Sequence, residues 1–126
     1  MPELLQRADV VSLHCPLNED SADMMDEKAF AAMKPGALFI NTARGGLVDE
    51  TALRRALDSG HLGGAAVDVL RQEPMDPACP LLGAPRCIIT PHIAWAAVDT
   101  RLRLVGIVEE NIRAFLDGHP IHNVAQ

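Results

Sequence analysis

The sequence predicts an α/β fold with a mostly parallel sheet of about four strands and a long C-terminal helix. Short apolar runs without polar alternation recur along the chain, as is typical of strands covered on both faces. Helical segments or a long loop separate these runs, which indicates crossover connections between parallel strands. Near the end of the chain, apolar residues recur at helical spacing over about twenty residues.

The first half of the chain predicts two strands and their flanking helices. In order, these are the end of a helix at Glu3–Arg7, a strand at Asp9–Leu13, a helix at Asp26–Met33, a strand that begins at Ala37 and ends before Thr42, and a helix at Glu50–Ser59. Asp49 is the expected N-cap of the last of these helices, and Gly60 its stop.

The second half adds two strands and the long helix. A small and β-branched run predicts a strand at Ala65–Val69, and four prolines between Arg71 and Pro85 predict an irregular surface loop. The run Cys87–Thr90 predicts the fourth strand. The long helix is expected from about Ala97 to Asp117, with Gly118 as its stop.

Composition indicates one domain over residues 1–126 and narrows the choice of partners. Eleven basic and seventeen acidic residues give a net charge of -6 without a basic cluster, which argues against nucleic acid. No apolar run has the length of a membrane span, and the N-terminal residues do not resemble a signal peptide. Three cysteines without a paired motif favour a reduced, cytoplasmic protein.

Candidate functional residues follow the predicted strands, at the point where each strand ends. Because the carboxyl ends of parallel strands lie at one edge of a sheet, and ligands bind there, these residues predict one site. They are His14, Cys15 and Pro16 after the first strand, Thr42, Ala43 and Arg44 after the second, Asp68 and Glu73 after the third, and His92 after the fourth.

Three of these side chains suggest a division of labour. The guanidinium of Arg44 suits bidentate binding of a carboxylate, although a solvated arginine on a turn is the alternative. His92 precedes a helix whose positive end disfavours an imidazolium ion. Glu73 is the candidate carboxylate that would pair with His92 and support a general acid or base. Taken singly, His92 is more simply a capping histidine and Glu73 a loop glutamate, and only their joint position favours the functional interpretation.

The other polar groups at this edge leave alternatives open. Asp68 could orient a ligand amide or cap a turn, and the sequence favours neither. Cys15 is interpreted as a small, buried residue whose backbone lines a cleft rather than as a nucleophile. The histidines other than His92 show no metal-ligand spacing, so no metal site is predicted.

Four segments together resemble the D-isomer-specific 2-hydroxyacid dehydrogenases, in the C-terminal part of their NAD-binding domain. They are Ala8-Asp9-Val10-Val11-Ser12-Leu13-His14-Cys15-Pro16-Leu17, Met33 to Gly36 with Asn41 to Gly45, Asp68 to Pro74, and Thr90-Pro91-His92-Ile93-Ala94. The resemblance implies a partial Rossmann-like, doubly wound fold. It also implies that Arg44 holds the substrate carboxylate and carbonyl, that His92 exchanges the proton with the substrate hydroxyl, and that Glu73 pairs with His92.

The resemblance further implies NAD or NADP as cofactor and a small 2-oxo or 2-hydroxy acid as substrate. Expected cofactor contacts are His14, Cys15, Pro16, Thr42, Ala43, Arg44, Asp68, His92 and Ala94. Ala94-Trp95 is more similar to the glycerate dehydrogenase and hydroxypyruvate reductase branch than to the phosphoglycerate branch. The Gly-x-Gly-x-x-Gly turn and the substrate domain of full-length relatives have no counterpart in this sequence.

Two functions are therefore considered. The first is a 2-hydroxyacid dehydrogenase that carries its catalytic residues in this chain, with weak binding of the dinucleotide by the chain alone. The second is a non-catalytic truncated module that acts in oligomerisation or protein interaction. In a full dinucleotide fold the first strand would lie against a central strand of the other half. Without that strand the sheet has a flat apolar edge and the helices are uncovered, so the sequence also predicts a homo-oligomer, by pairing or swapping across that edge.

Overall fold

The computed structural model describes residues 1–124 and divides the chain into two compact units. The first unit is Met1–Ile93, and the second begins at Ala94. The single domain expected over residues 1–126 stays a prediction. All four strands and all the residues paired between them lie in the first unit.

The sheet is parallel throughout, as the apolar runs predict. Its strands are β1 (Val10–Leu13), β2 (Leu38–Asn41), β3 (Gly64–Val67) and β4 (Cys87–Ile89), and they lie side by side in chain order. The register aligns the carboxyl ends of β1, β2 and β3, because Leu13 pairs with Asn41 and Asn41 pairs with Val67. The segments that follow these strands therefore begin at one edge.

Three helices of the first unit occur close to their predicted positions. They are α1 (Pro2–Arg7), α2 (Glu27–Ala32) and α3 (Glu50–Asp58). Asp26 caps α2 by accepting a hydrogen bond from the Ala29 amide, and Asp49 caps α3 by accepting from the Thr51 and Ala52 amides. These caps satisfy amides that have no partner inside the helix, which explains where both helices begin.

The core lies between these helices and one face of the sheet. Alternate residues of the strands point into it, among them Val11, Phe39 and Val67, while Phe30 and Leu53 enter from α2 and α3. The rings of Phe30 and Phe39 meet edge to face with centroids 5.2 Å apart. Packing of this core therefore holds in place the strands at whose carboxyl ends the candidate site residues lie.

The opposite face of the sheet exposes apolar side chains. Val10 is 50% exposed, Leu38 46% and Ile88 65%, although parallel sheets usually bury both faces. Val10 and Leu38 are direct neighbours in the register. We call Val10, Leu38 and Ile88 the open face.

The second unit contains α4 (Val98–Leu116), the predicted long helix. It ends as predicted near Gly118, which has a positive φ of 75° and donates from its amide to the Phe115 carbonyl. The apolar residues at helical spacing, including Leu102, Val105 and Ile112, are exposed. Within residues 1–124, no helix combines the length and apolar character needed to cross a bilayer.

Candidate active site

The turn that carries Arg44 is held by the buried side chain of Asn41, the last residue of β2. Asn41 donates from Nδ2 to the Arg44 carbonyl at 2.9 Å, and its Oδ1 accepts from the Ala43 amide at 3.0 Å. Asn41 is only 1% exposed, so these bonds are shielded from water and the turn is well determined. The backbone at Arg44 is thus fixed directly at the end of a buried strand.

The next residue, Gly45, lets a second segment cross this turn closely. A Cβ atom at Gly45 would lie 1.9 Å from the Leu70 carbonyl carbon and 2.3 Å from the Arg71 nitrogen. No side chain fits at this distance, so glycine is required here by packing rather than by an unusual φ. The segment after β3 therefore lies directly on the turn after β2.

Arg44 itself lines a cleft of about 720 Å³ at the carboxyl ends of β1 and β2. Its Nη1 donates to the Ala43 carbonyl at 2.6 Å, and its side chain is exposed. This volume is in the range of small-molecule sites. The cleft is lined by His14, Cys15, Pro16, Leu17, Thr42, Ala43 and Arg44, so six of the predicted cofactor contacts lie together.

Glu73 and His92 form the side-chain contact that the sequence suggests. Nδ1 of His92 lies 2.8 Å from Oε2 of Glu73, and both side chains are partly exposed. The second oxygen of Glu73 accepts from the Leu70 amide at 2.9 Å, so the carboxylate is held from two sides. Because Nδ1 faces the carboxylate, Nε2 is the ring nitrogen that faces away from Glu73.

The pKa of Glu73 lies below its ordinary value. The main cause is the hydrogen bond with His92, and the bond from the Leu70 amide adds to it. Both bonds favour the ionised carboxylate, and they outweigh a small opposing effect of desolvation. Glu73 is therefore an anion at neutral pH, suited to orient an imidazole N–H.

Asp68 organises the backbone that carries His92. Its buried carboxylate accepts from the Thr90 hydroxyl at 2.5 Å and from the Ile93 amide at 2.9 Å. Its carbonyl accepts from the His92 amide at 2.8 Å, which supports His92 in a left-handed conformation with φ 55°. These contacts agree with the turn-capping alternative for Asp68, while a contact with a cofactor stays a prediction.

The predicted site residues thus fall into two groups. The first lines the Arg44 cleft, and the second consists of Asp68, Glu73 and His92 beside a cavity of about 740 Å³ with apolar walls that include Met75 and Leu81. The two cavities share no lining residue. Ala94 lies in the second unit. Across residues 1–124, no group of three or more His, Cys, Asp or Glu is arranged to hold a metal ion.

Several contacts of the site were not found by sequence reasoning. We call the two Asn41 side-chain bonds, to the Arg44 carbonyl and the Ala43 amide, the Asn41 clamp. Its sequence signal is a polar residue at the end of an apolar run that forms a buried strand. Thr90 stands two residues before His92, but its contact with Asp68 joins residues 22 apart, which no local pattern reveals. The same holds for Glu50, whose Oε1 accepts from the Arg71 amide at 2.7 Å.

Known proteins resemble this chain in sequence. A putative 2-hydroxyacid dehydrogenase of Haemophilus influenzae is 50% identical over 90% of this chain, and a hydroxypyruvate reductase of Blautia hydrogenotrophica is 43% identical over 98%. The chain spans 38% of the length of each of these curated relatives.

A solved structure resembles this chain in its fold. The D-isomer specific 2-hydroxyacid dehydrogenase of Xanthobacter autotrophicus, in complex with NADPH and MES, matches 99% of this chain and 51% of its own, with a TM-score of 0.83 and 38% identity. The parallel sheet is therefore part of a Rossmann-type domain. Residues 1–94, which contain all four strands and the Glu73–His92 pair, match the family model for the NAD-binding domain of these enzymes, and the chain belongs to the D-isomer specific 2-hydroxyacid dehydrogenase family.

Proposed function

We propose that this chain carries the catalytic residues of an NAD(P)-dependent oxidoreductase that interconverts 2-hydroxy and 2-oxo acids. The Glu73–His92 pair is the observation that carries this proposal, since a carboxylate 2.8 Å from an imidazole nitrogen is the arrangement of a general acid or base. Family membership supplies the reaction class. Relatives named hydroxypyruvate reductase and glycerate dehydrogenase suggest small 2-oxo acids as substrates.

Arg44 is proposed to hold the substrate. Its planar guanidinium fits two oxygens at once, so it can bind a carboxylate and orient the neighbouring carbonyl. The Asn41 clamp supports this role, because it fixes the backbone from which the side chain extends. His92 is proposed to move the proton at Nε2, since Nδ1 is directed at Glu73.

The Arg44 cleft is proposed to hold the nicotinamide part of the cofactor. Its volume suits a part of a dinucleotide, and its backbone groups at two strand ends offer polar contacts. Bound there, the nicotinamide would accept or donate a hydride at C4. The proposed contacts are His14, Cys15, Pro16, Thr42, Ala43, Arg44, Asp68, His92 and Ala94. A glycine-rich cradle for the pyrophosphate is not encoded in this sequence, so we expect weak binding by this chain alone.

Oxidation of NADH or NADPH in the presence of hydroxypyruvate or glyoxylate tests the proposal. We expect Arg44→Ala to lower kcat/KM about 100-fold, as expected for losing hydrogen bonds to a charged group. His92→Ala should lower kcat by about two to four orders of magnitude, the usual share of general acid–base catalysis. Arg101→Ala and His119→Ala, in the second unit, are matched controls that should retain activity. Absence of turnover with any 2-oxo acid would contradict the proposal for this chain alone.

A non-catalytic role in assembly is the second candidate, and the open face favours it. Exposed apolar residues grouped on one face of a sheet are typical of protein interfaces, which supports a homo-oligomer. Titration with NAD in a calorimeter separates the candidates, because an assembly module would retain self-association without binding NAD. Three free cysteines support a reducing, cytoplasmic location for either role.

A further inference from the structure

Two side chains of α3 contact the loop that bears Glu73: Arg54, whose Nη1 donates to the Pro80 and Leu82 carbonyls, and Glu50. Glu50, in the first turn of α3, accepts the Arg71 amide at Oε1 with a distance of 2.7 Å. Its Oε2 lies 3.7 Å from the Cys79 thiol, which belongs to the same long loop. Glu50 therefore contacts both the start and the middle of the segment between β3 and β4.

This attachment is not needed to cap the helix. Asp49 already accepts the Thr51 and Ala52 amides at 2.9 and 3.1 Å, which satisfies the first turn of α3. The Glu50 carboxylate is instead used for contacts with the loop. Capping of α3 therefore does not explain why the Glu50 carboxylate contacts the loop.

The Arg71 side chain strengthens the same contact. Its Nη2 donates to the Val48 carbonyl at 3.1 Å and pairs with Asp23. Asp23 in turn donates from its amide to the Gly46 carbonyl at 3.0 Å. The first residues of the loop are thereby attached to the turn that follows Arg44, as the close packing of Gly45 also shows.

The orientation of Glu73 depends on these loop residues. One Glu73 oxygen accepts from the Leu70 amide, directly before Arg71, and the other meets Nδ1 of His92. A shift of the backbone at Leu70 would therefore move the carboxylate relative to the imidazole. The Leu70 N–H belongs to the Val69–Leu70 peptide, and Glu50 holds the next peptide, Leu70–Arg71, so the two peptides are joined at the Cα atom of Leu70.

We propose that Glu50 is a positioning residue that holds the Leu70–Arg71 backbone, and through it Glu73 and His92, in register with the turn that presents Arg44. This inference rests on the proposed function, since it assigns Glu50 a part in aligning the same site. Glu50 acts through its hydrogen bonds to the loop, and its length matters more than its charge.

Three variants of Glu50 separate the effect of its side-chain length from the effect of its charge. Glu50→Gln keeps a side-chain oxygen at the same distance, so it should preserve the contact with Arg71. Glu50→Asp keeps the negative charge in the first turn of α3 but is one methylene shorter, and Glu50→Ala removes both. Glu27→Ala is the matched control, because Glu27 is an exposed acidic residue in the first turn of α2.

Two nuclear magnetic resonance measurements on the whole chain provide the test. We expect hydrogen exchange of the Arg71 and Leu70 amides to become about tenfold faster in Glu50→Asp and Glu50→Ala, because their local opening is favoured. The 15N signals of the His92 ring should show a smaller population of the Nδ1–H tautomer in these two variants. Glu50→Gln and Glu27→Ala should retain the wild-type values. Unchanged exchange and ring signals in Glu50→Asp, or equal losses in Glu50→Gln and Glu50→Asp, would overturn the proposal.

Kinetics distinguish this inference from the proposed function. If the wild-type chain turns over a 2-oxo acid, Glu50→Asp should lower kcat about tenfold and leave KM for the dinucleotide unchanged, since misalignment affects the reacting groups most. An unchanged kcat would count against positioning by Glu50. If the wild-type chain shows no turnover, the proposed function fails, while the exchange and ring signals still decide the role of Glu50.

Discussion

At the scale of the residue, Glu73 connects backbone geometry with the chemistry of His92. One of its oxygens accepts from an amide of its own loop, and the other faces the imidazole 19 residues further along the chain. A carboxylate held in this way fixes both the tautomer and the direction of the ring. In the proposed reaction, His92 would therefore exchange its proton at Nε2.

The pH dependence of stability should report this pair. Because the pKa of Glu73 is lower in the folded chain than its ordinary value of 4.5, the folded state gains stability above that value and loses it as the pH falls through the folded-state pKa. Glu73→Gln removes this titration. Thermal unfolding should show the wild type more stable than the variant at pH 7, with the difference disappearing in acid.

The gain should be small, because the Glu73 side chain is 38% exposed and water screens the pair. Glu3→Gln on α1 provides the control, since it changes a glutamate whose ion pair with Arg7 is far more exposed. The assigned cause would be contradicted if the wild type remained more stable than Glu73→Gln by the same amount at a pH low enough to protonate carboxylates.

At the scale of the element, substitution by alanine should have opposite effects on stability at two glycines, Gly45 and Gly106. Gly45 begins the 3₁₀ turn Gly45–Leu47, where the Leu70 backbone leaves no space for a Cβ atom. Gly106 lies within α4, where nothing lies within 4 Å of a Cβ atom. Alanine should therefore destabilise the chain at the first position and stabilise a helix at the second.

We expect Gly45→Ala to lower the free energy of unfolding by about 3 kcal/mol, since backbone atoms must shift to admit the methyl group. Gly106→Ala should make the helix about 1 kcal/mol more favourable, the difference in helix propensity between the two residues. Chemical denaturation followed by circular dichroism measures both. Equal stability of Gly45→Ala and wild type would show that the crossing of Leu70 over the turn is looser than described.

The sequence was sufficient to predict the elements, and insufficient to predict how the loops between them are held. Apolar runs and helical spacing are local patterns, so β1 to β4 and α4 were found within a few residues of their bounds. The Glu73–His92 contact was predicted because both residues follow strand ends. The Asn41 clamp and the Glu50–Arg71 contact depend on which side chains meet after folding, and hydrogen bonds of this kind leave no periodic signal.

At the scale of the whole molecule, the two faces of the sheet differ in what covers them. Three helices cover the face that carries Val11, Phe39 and Val67, whereas the open face leaves Val10, Leu38 and Ile88 exposed. Strands in parallel sheets are normally buried on both sides. Exposed apolar side chains grouped on one face of a sheet are typical of interaction surfaces.

Self-association of this chain through the open face is the corresponding expectation. Light scattering at micromolar concentration should give a mass above the 13.6 kDa of one chain. Leu38→Lys should lower the average mass, because a charged ammonium in the centre of the face would lose its hydration on contact. Leu4→Lys is the matched control, since Leu4 is similarly exposed but lies on α1, and the two variants change the net charge equally. A monodisperse wild-type monomer would contradict self-association, and equal effects of the two variants would assign it to net charge rather than to the open face.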